Sequence, residues 1–127
     1  MIDAIFSQPN YLAAKKLLDV TAIRQEAIAS NLANLETPNY KRLDVAPAFE
    51  NQLRQAVASG SPSAISSIQP SLAQDPSAVA SRRDGNTVNL ESELMHLNQN
   101  VVEHSLETQL VTGSLLKLRM AITGRAV

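Results

Sequence analysis

The chain has 127 residues, 11 basic and 12 acidic side chains, and a formal net charge of −1. This length suits one domain, and the balanced charge, without a basic stripe, argues against a nucleic-acid partner. Aromatic residues make up 3% of the chain and cysteine is absent, which argues against an aromatic-lined substrate pocket and excludes disulfides, thiolate catalysis and cysteine-bound metal.

The first residues, Met1 to Phe6, carry no basic n-region and no long apolar run. They do not resemble a secretory signal peptide, so we expect that any export of this protein needs no cleaved signal. No apolar run approaches the roughly 20 residues that a membrane-spanning helix requires.

Residues 1–35 are predicted to form an N-terminal helical segment. From about residue 10 to residue 34 the chain contains neither Gly nor Pro and is rich in Ala and Leu, which favours a helix. The helix is expected to end before Pro38, because the residue that precedes a proline is disfavoured in the α conformation.

Residues 36–89 are predicted to be an irregular, Ser/Pro-rich centre that contains five prolines. Phe49, Leu53 and Val57 are spaced four residues apart and predict one short helix near residues 47–57. The polar stretch from residue 59 to residue 81 buries too little apolar surface to offset its ordering entropy. We expect it to be mobile or to be ordered by a partner, and a simple linker is the alternative.

Residues 90–127 contain the strongest helix signal. Asn89 is a favourable N-cap, and two acidic residues follow in the first turn, where the helix dipole favours them. Positions that follow one another at alternating intervals of three and four residues are then mostly aliphatic, which is typical of a coiled-coil seam. The row consists of Leu94, Leu97, Val101, His104, Thr108, Val111, Leu115, Leu118 and Ile122. We interpret His104 as a polar residue of this seam rather than as a metal ligand.

A second apolar row lies on nearly the opposite face of the same helix. It consists of Met95, Val102, Leu106, Leu110, Leu116 and Met120. A helix with two apolar faces is usually buried from both sides. The N-terminal helix can cover one face, so we expect other subunits to cover the second. The alternative is that the middle segment folds back over it.

Together these segments predict an all-α fold, in which the N- and C-terminal helices pair as a coiled-coil-like hairpin and the centre is largely irregular or mobile. No serine, carboxylate or lysine stands in a catalytic signature, and no Gly-rich phosphate loop occurs. We therefore expect no enzyme activity, no catalytic residue, no metal and no cofactor, and neither a nucleic acid nor a small-molecule substrate as a partner.

The turn after the first helix carries an unusual run of residues. It reads Ala29-Ser30-Asn31-Leu32-Ala33-Asn34-Leu35-Glu36-Thr37-Pro38-Asn39-Tyr40-Lys41. This run resembles the N-terminal signature of the bacterial flagellar rod and hook axial proteins. The matching residues are Ser30, Asn31, Leu32, Ala33, Asn34, Thr37, Pro38 and Tyr40, while Asn39 stands where that family usually has glycine.

Asparagine in place of glycine at position 39 leads to an expectation about the backbone conformation of the turn. We expect a positive φ there, because asparagine tolerates this conformation better than other non-glycine residues. The turn is then expected to place Tyr40, Lys41 and Arg42 outside the helix pair, in contact with a neighbouring subunit or with solvent.

Two features narrow the resemblance to the proximal part of the rod. The chain is short, and the run Asp84-Gly85-Asn86-Thr87-Val88-Asn89-Leu90 resembles the segment that precedes the C-terminal helix in a proximal-rod member of the family. The resemblance implies a structural subunit of the flagellar basal body proximal rod, a helical assembly in the periplasm that transmits torque through helix–helix packing.

The resemblance also implies a set of partners. These are further copies of the chain, other flagellar rod proteins, the rod–membrane-ring adaptor, the membrane–supramembrane ring and the flagellar type III export apparatus. A soluble helical adaptor or export chaperone that binds a partner's amphipathic helix is the alternative function.

Overall fold

The structure is a computed structural model that describes residues 6–80 and 82–124. In chain order its elements are α1 (Pro9–Ala33), β1 (Leu43–Val45), α2 (Ala48–Ser59), α3 (Pro62–Ser67), β2 (Leu72–Gln74) and α4 (Leu90–Thr123). None of the helices in the described ranges carries an apolar stretch long enough to cross a membrane.

The ends of the two long helices follow local chemistry. Helix α1 begins with Pro9, whose missing N–H costs nothing in the first turn. The side chain of Asn89 accepts a hydrogen bond from the backbone N–H of Ser92, as predicted for the N-cap of α4. Helix α4 ends at Gly124, which takes a left-handed conformation with a φ of 64°.

Helices α1 and α4 pack against each other in antiparallel fashion, which confirms the predicted pairing of the terminal helices. Thr21 near the middle of α1 contacts His104 of α4, and Asn31 near the end of α1 contacts Glu93 near the start of α4. The two helices therefore form the arms of a hairpin, although the whole centre of the chain lies between them in sequence.

The expectation of an all-α fold is not accurate, because the centre contains a two-stranded sheet. Strands β1 and β2 pair antiparallel, with Leu43 opposite Gln74, Asp44 opposite Ala73 and Val45 opposite Leu72. Each strand has only three residues, too few to show the alternation from which a strand is recognised in a sequence.

The centre is also more regular than expected. In addition to the sheet it contains α2, which covers the position of the predicted short helix, and α3. Helix α3 begins with Pro62, and its N-cap Ser61 accepts a hydrogen bond from the backbone N–H of Ala64. A proline at the first helical position and a serine at the N-cap are favourable helix starts.

The hydrophobic core lies between α1 and the centre. Its buried residues are Val20, Val45, Phe49, Leu53, Ala56 and Ile65. Helix α1 thus packs against the centre on one side and against α4 on the other. The centre does not fold over the second apolar face of α4, whose residues remain exposed.

Candidate functional site

The most deeply buried residue of the motif at the end of α1 is Asn31, which is 0% exposed. Its amide nitrogen donates to the carbonyl oxygen of Leu43 at 2.8 Å, and its amide oxygen accepts from the N–H of Leu43, also at 2.8 Å. Asn31 therefore satisfies both backbone groups of one β1 residue, as a neighbouring strand would. The same amide nitrogen also donates to Glu93 at 3.2 Å, so one side chain joins α1, β1 and α4.

The remaining polar residues of the motif form hydrogen bonds within the turn. Asn34 donates to the carbonyl oxygen of Ser30 at 2.9 Å and accepts from the hydroxyl of Thr37 at 3.1 Å. The hydroxyls of Ser30 and Tyr40 are 3.0 Å apart. Among the other motif residues, Leu32 is half-buried and Ala33, Pro38 and Asn39 are exposed.

Asn39 adopts a φ of 60°, which confirms the predicted left-handed conformation. Its backbone N–H donates to the carbonyl oxygen of Asp84 at 2.8 Å, and the N–H of Thr87 donates to the carbonyl oxygen of Tyr40 at 3.0 Å. The motif turn and the run before α4 therefore pack directly on each other. These are the two sequence runs that carried the family resemblance.

Asn86 has a structural role that the sequence did not reveal. Its buried amide nitrogen lies within 3.1 Å of three carbonyl oxygens, those of Asn34, Leu35 and Thr37, and its amide oxygen accepts from the N–H of Val88. Carbonyl groups at a helix end lack intrahelical donors, so Asn86 supplies the end of α1 and the following turn with a donor from a distant part of the chain.

Gly85→Ala is expected to destabilise the protein, because residue 85 has a φ of +76° and a Cβ there would lie 2.6 Å from the Oδ1 of Asn39, whose exposed side chain must then move away. The positive φ alone costs about 1–2 kcal/mol. Gly60→Ala is a matched control, since its φ is +67° and nothing lies within 4 Å of the added Cβ. In urea denaturation we expect Gly85→Ala to lose more stability than Gly60→Ala, and Asn39→Gly in the same chain to restore the difference. Equal losses of stability in the two alanine variants would contradict the close approach of residue 85 to Asn39.

The expectation that Arg42 lies outside the helix pair is wrong, since Arg42 is 5% exposed. Its Nε donates to the fully buried carboxylate of Glu93, and its Nη1 donates to Asp44 at 3.0 Å and to Asp75 at 2.7 Å. A buried guanidinium with three carboxylate partners joins β1, the residue after β2, and the first turn of α4. Tyr40 likewise turns back to α1, and Lys41 donates to the carbonyl oxygen of Gly85 at 3.0 Å.

This ion cluster shifts the pKa values of its members. Burial by itself would lower the pKa of Arg42, but its bonds to Glu93 and Asp44 outweigh burial and raise that pKa above its ordinary value. Burial would raise the pKa of Asp44, but hydrogen bonds from Val45 and Arg42 and the charge of Arg24 lower it. The pKa of Asp75 is lowered despite burial by hydrogen bonds from Ser77 and Arg42. All three groups are therefore held in their charged forms.

The seam between α1 and α4 is more polar than the apolar row suggested. Asn100 is buried and donates to the carbonyl oxygen of Thr21 at 2.9 Å and to Gln25 at 3.0 Å, while His104 Nδ1 lies 2.9 Å from the hydroxyl of Thr21. Arg24 pairs with Glu103 at 3.1 Å across the same seam. Directional polar contacts therefore fix the register of the helix pair.

One column of the apolar row does lie towards α1. Leu97 and Val111 are half-buried and Leu118 is buried. Together with His104, these residues follow one another at intervals of seven. A second column with buried or half-buried members is polar and consists of Glu93, Asn100, Glu107 and Ser114. Within the described ranges, the buried Asn100 Oδ1 and Glu107 Oε2 have no hydrogen-bond partner, and burial together with the charge of Glu103 raises the pKa of Glu107.

The other apolar residues of α4 are exposed. The column one residue further on, Leu94, Val101, Leu115 and Ile122, is between 42% and 64% exposed. The second row is exposed as well, and its members are Met95, Val102, Leu106, Leu110, Leu116 and Met120. A contiguous exposed apolar surface of this kind marks an interaction surface.

The geometry defines a class of protein. Buried hydrogen bonds and ion pairs hold two long helices in one orientation, and one of these helices presents apolar residues outward. Within residues 6–80 and 82–124, no cluster of histidine or acidic side chains could hold a metal ion. The arrangement is that of a structural protein with an exposed apolar helix surface.

Comparison with known proteins gives the family. The model of the flagella basal body rod protein family matches residues 18–41, which include the turn motif. The flagellar basal body rod protein FlgB of Borrelia hermsii is 33% identical over 115 residues, covering 76% of this chain and 83% of the relative. FlgB of Bacillus subtilis strain 168 is 29% identical over 115 residues, covering 80% and 84%. The chain belongs to the flagellar basal body rod protein family, which is structural and not enzymatic.

Proposed function

We propose that this protein is a subunit of the proximal rod of the flagellar basal body and transmits torque by side-by-side packing of its helices. The observation that carries the proposal is the exposed apolar surface of α4, which no other part of the described chain covers. The family supports a structural role in the rod. Burying such surface between copies stabilises an assembly by roughly 25 cal/mol per Å² of apolar area.

The ion cluster around Arg42 supports the mechanical part of the proposal. It connects β1, the residue after β2 and the start of α4 through short charged bonds. Since bonds to charged groups are stronger than neutral ones, force applied to α4 passes into the centre through fixed contacts instead of a flexible loop.

The proposal extends to location and partners. We propose that the subunit acts in the periplasmic part of the basal body, contacts other rod proteins, the rod–membrane-ring adaptor and the membrane–supramembrane ring, and reaches them through the flagellar type III export apparatus without a cleaved signal. The membership in the rod family supports this placement.

Leu115→Asp is the test of the proposed function. Leu115 is 42% exposed, so the isolated subunit should fold and be exported, whereas a charge buried without a partner in an assembled helix contact costs several kcal/mol. We expect loss of the protein from purified basal bodies and loss of swimming. Val79→Asp is the control, since Val79 is an exposed valine outside α4. A motile Leu115→Asp strain would contradict the assembly role of this face.

A further inference from the structure

One carboxylate of α4 is shielded from solvent without a partner to compensate it. Glu107 is half-buried, and within residues 6–80 and 82–124 its buried Oε2 accepts no hydrogen bond. Glu107 lines a cavity of about 290 Å³ between α1, α2 and α4, whose apolar wall is formed by Leu17, Val20 and Phe49. A carboxylate beside such a wall is poorly solvated, so its charge costs free energy in the folded chain.

The charged groups around this cavity do not offset the charge of Glu107. They are Arg24 of α1, Glu50 of α2 and Glu103, which precedes Glu107 by one turn of α4. The Nε and Nη1 of Arg24 lie 3.1 Å from Asp44 and from Glu103, and its Nη2 lies 3.9 Å from Glu50. Each nitrogen of this guanidinium thus faces a carboxylate other than Glu107. Burial, together with the charge of Glu103, accordingly raises the pKa of Glu107.

The part of α4 that follows Glu107 has three features that favour bending. The hydroxyls of Thr108 and Ser114 donate to carbonyl oxygens four residues earlier, at 2.7 and 3.1 Å, and such bonds compete with the backbone bonds of a helix. Gly113 is a poor helix former, and nothing lies within 4 Å of a Cβ built there, so no close contact calls for a glycine. We call residues 108–123 the C-terminal arm of α4.

We propose that Glu107 is a pH-sensitive switch that controls how firmly the C-terminal arm of α4 is held on the rest of the fold. In its charged form Glu107 weakens the packing of α4 on α1 and α2. In its neutral form the cost of the buried charge disappears, and the new O–H is a donor for the carboxylate of Glu103. The arm carries the exposed Leu115 and Leu116, so acid fixes the position of this apolar surface and neutral pH lets it reorient.

The expected pH dependence has a definite sign. A carboxyl whose pKa is raised in the folded chain lowers stability above that pKa, and this cost is removed as the pH falls towards the ordinary value of 4.5. The effect is opposite to that of Asp44 and Asp75, whose lowered pKa values make the fold lose stability in stronger acid. The switch is a property of the single chain and does not rest on the proposed rod function.

Amide hydrogen exchange of the purified full chain tests the switch, with rates corrected for the intrinsic effect of pH. The arm of the wild type should be several-fold more protected at about pH 4.5 than at about pH 7.5. Glu107→Gln has no charge at either pH, so its arm should keep the high protection at both. Glu91→Gln, at an exposed position of the same helix, should behave as the wild type. Equal protection of the wild-type arm at the two pH values, or a pH dependence that survives in Glu107→Gln, overturns the proposal.

A histidine control separates Glu107 from its neighbour. Histidine side chains also titrate in this range, and the His104 Nδ1 lies 2.9 Å from the hydroxyl of Thr21, which lines the same cavity. His104→Gln should leave the pH dependence of the arm in place. Its disappearance in His104→Gln would assign the switch to the histidine and overturn the role of Glu107.

Urea denaturation gives a second measurement of the same charge. At about pH 7.5 the equilibrium constant for unfolding of Glu107→Gln should be several-fold smaller than that of the wild type, and at about pH 4.5 the two constants should be close. Equal constants at about pH 7.5 would show that the charge of Glu107 costs nothing, which contradicts the proposal. The presence or absence of the protein in basal bodies decides the rod function separately.

Discussion

Arg42→Met is expected to lower the free energy of unfolding by about 4 kcal/mol at neutral pH, because it leaves a buried carboxylate without its cation. Glu93 is 0% exposed, and within the described residues Asn31 is the side-chain partner that remains to it without Arg42. Asp44 and Asp75 lose the same guanidinium. Urea denaturation followed by circular dichroism measures the change.

Two variants control the Arg42 measurement. Arg82→Met removes an arginine that pairs with Glu36 and Asp84 at a more exposed position, and it should cost much less. The double variant Arg42→Met with Glu93→Leu should recover a large part of the loss, since it also removes the fully buried carboxylate that Arg42→Met leaves without a cation. A double variant as unstable as Arg42→Met would show that the loss comes from packing instead of charge.

The same cluster predicts the response to acid. The pKa values of Asp44 and Asp75 lie below their ordinary value of 3.8 in the folded chain. A lowered pKa contributes stability that is fully present above the ordinary value and is lost as the pH falls through the folded value. The wild type should therefore lose stability below about pH 4, and its advantage over Arg42→Met should shrink over the same range.

Asn31→Leu should lower the free energy of unfolding by about 3 kcal/mol, because each buried polar group left without a partner costs about 1–3 kcal/mol. The substitution keeps the size of the side chain but removes both bonds to the Leu43 backbone and the bond to Glu93. Asn98→Leu is the matched control, since Asn98 lies exposed on α4. Equal stability of the two variants would refute the role of Asn31 as a bridge.

Local signals predicted the parts of this fold that local chemistry determines. Asn89 starts α4 and Asn39 supplies the positive φ, each because of the properties of that residue alone. Helix α1 ends at Ala33, before Pro38, as predicted. The strands of the centre were missed because their three residues are held by distant partners, including Asn31 and the bridge from Arg42 to Asp75. Sequence spacing does not encode such contacts.

The face that α4 turns towards α1 could not be predicted from its apolar pattern. Its apolar periodicity correctly indicated a helix with more than one apolar face, but it could not tell which face packs within the chain. The structure places polar Asn100 against α1 and leaves Val101, one residue further on, half exposed. The usual rule that apolar residues face the intrachain partner holds here only for the column that contains Leu97, Val111 and Leu118.

The bonds between Asn31 and Leu43 also protect an edge. A strand with free N–H and C=O groups is a template on which another chain can add. Strand β1 has β2 on one side, and on the other side a side-chain amide occupies both groups of its Leu43. The amide of Asn31 thereby removes the free N–H and C=O groups of Leu43 to which a strand of another chain could add.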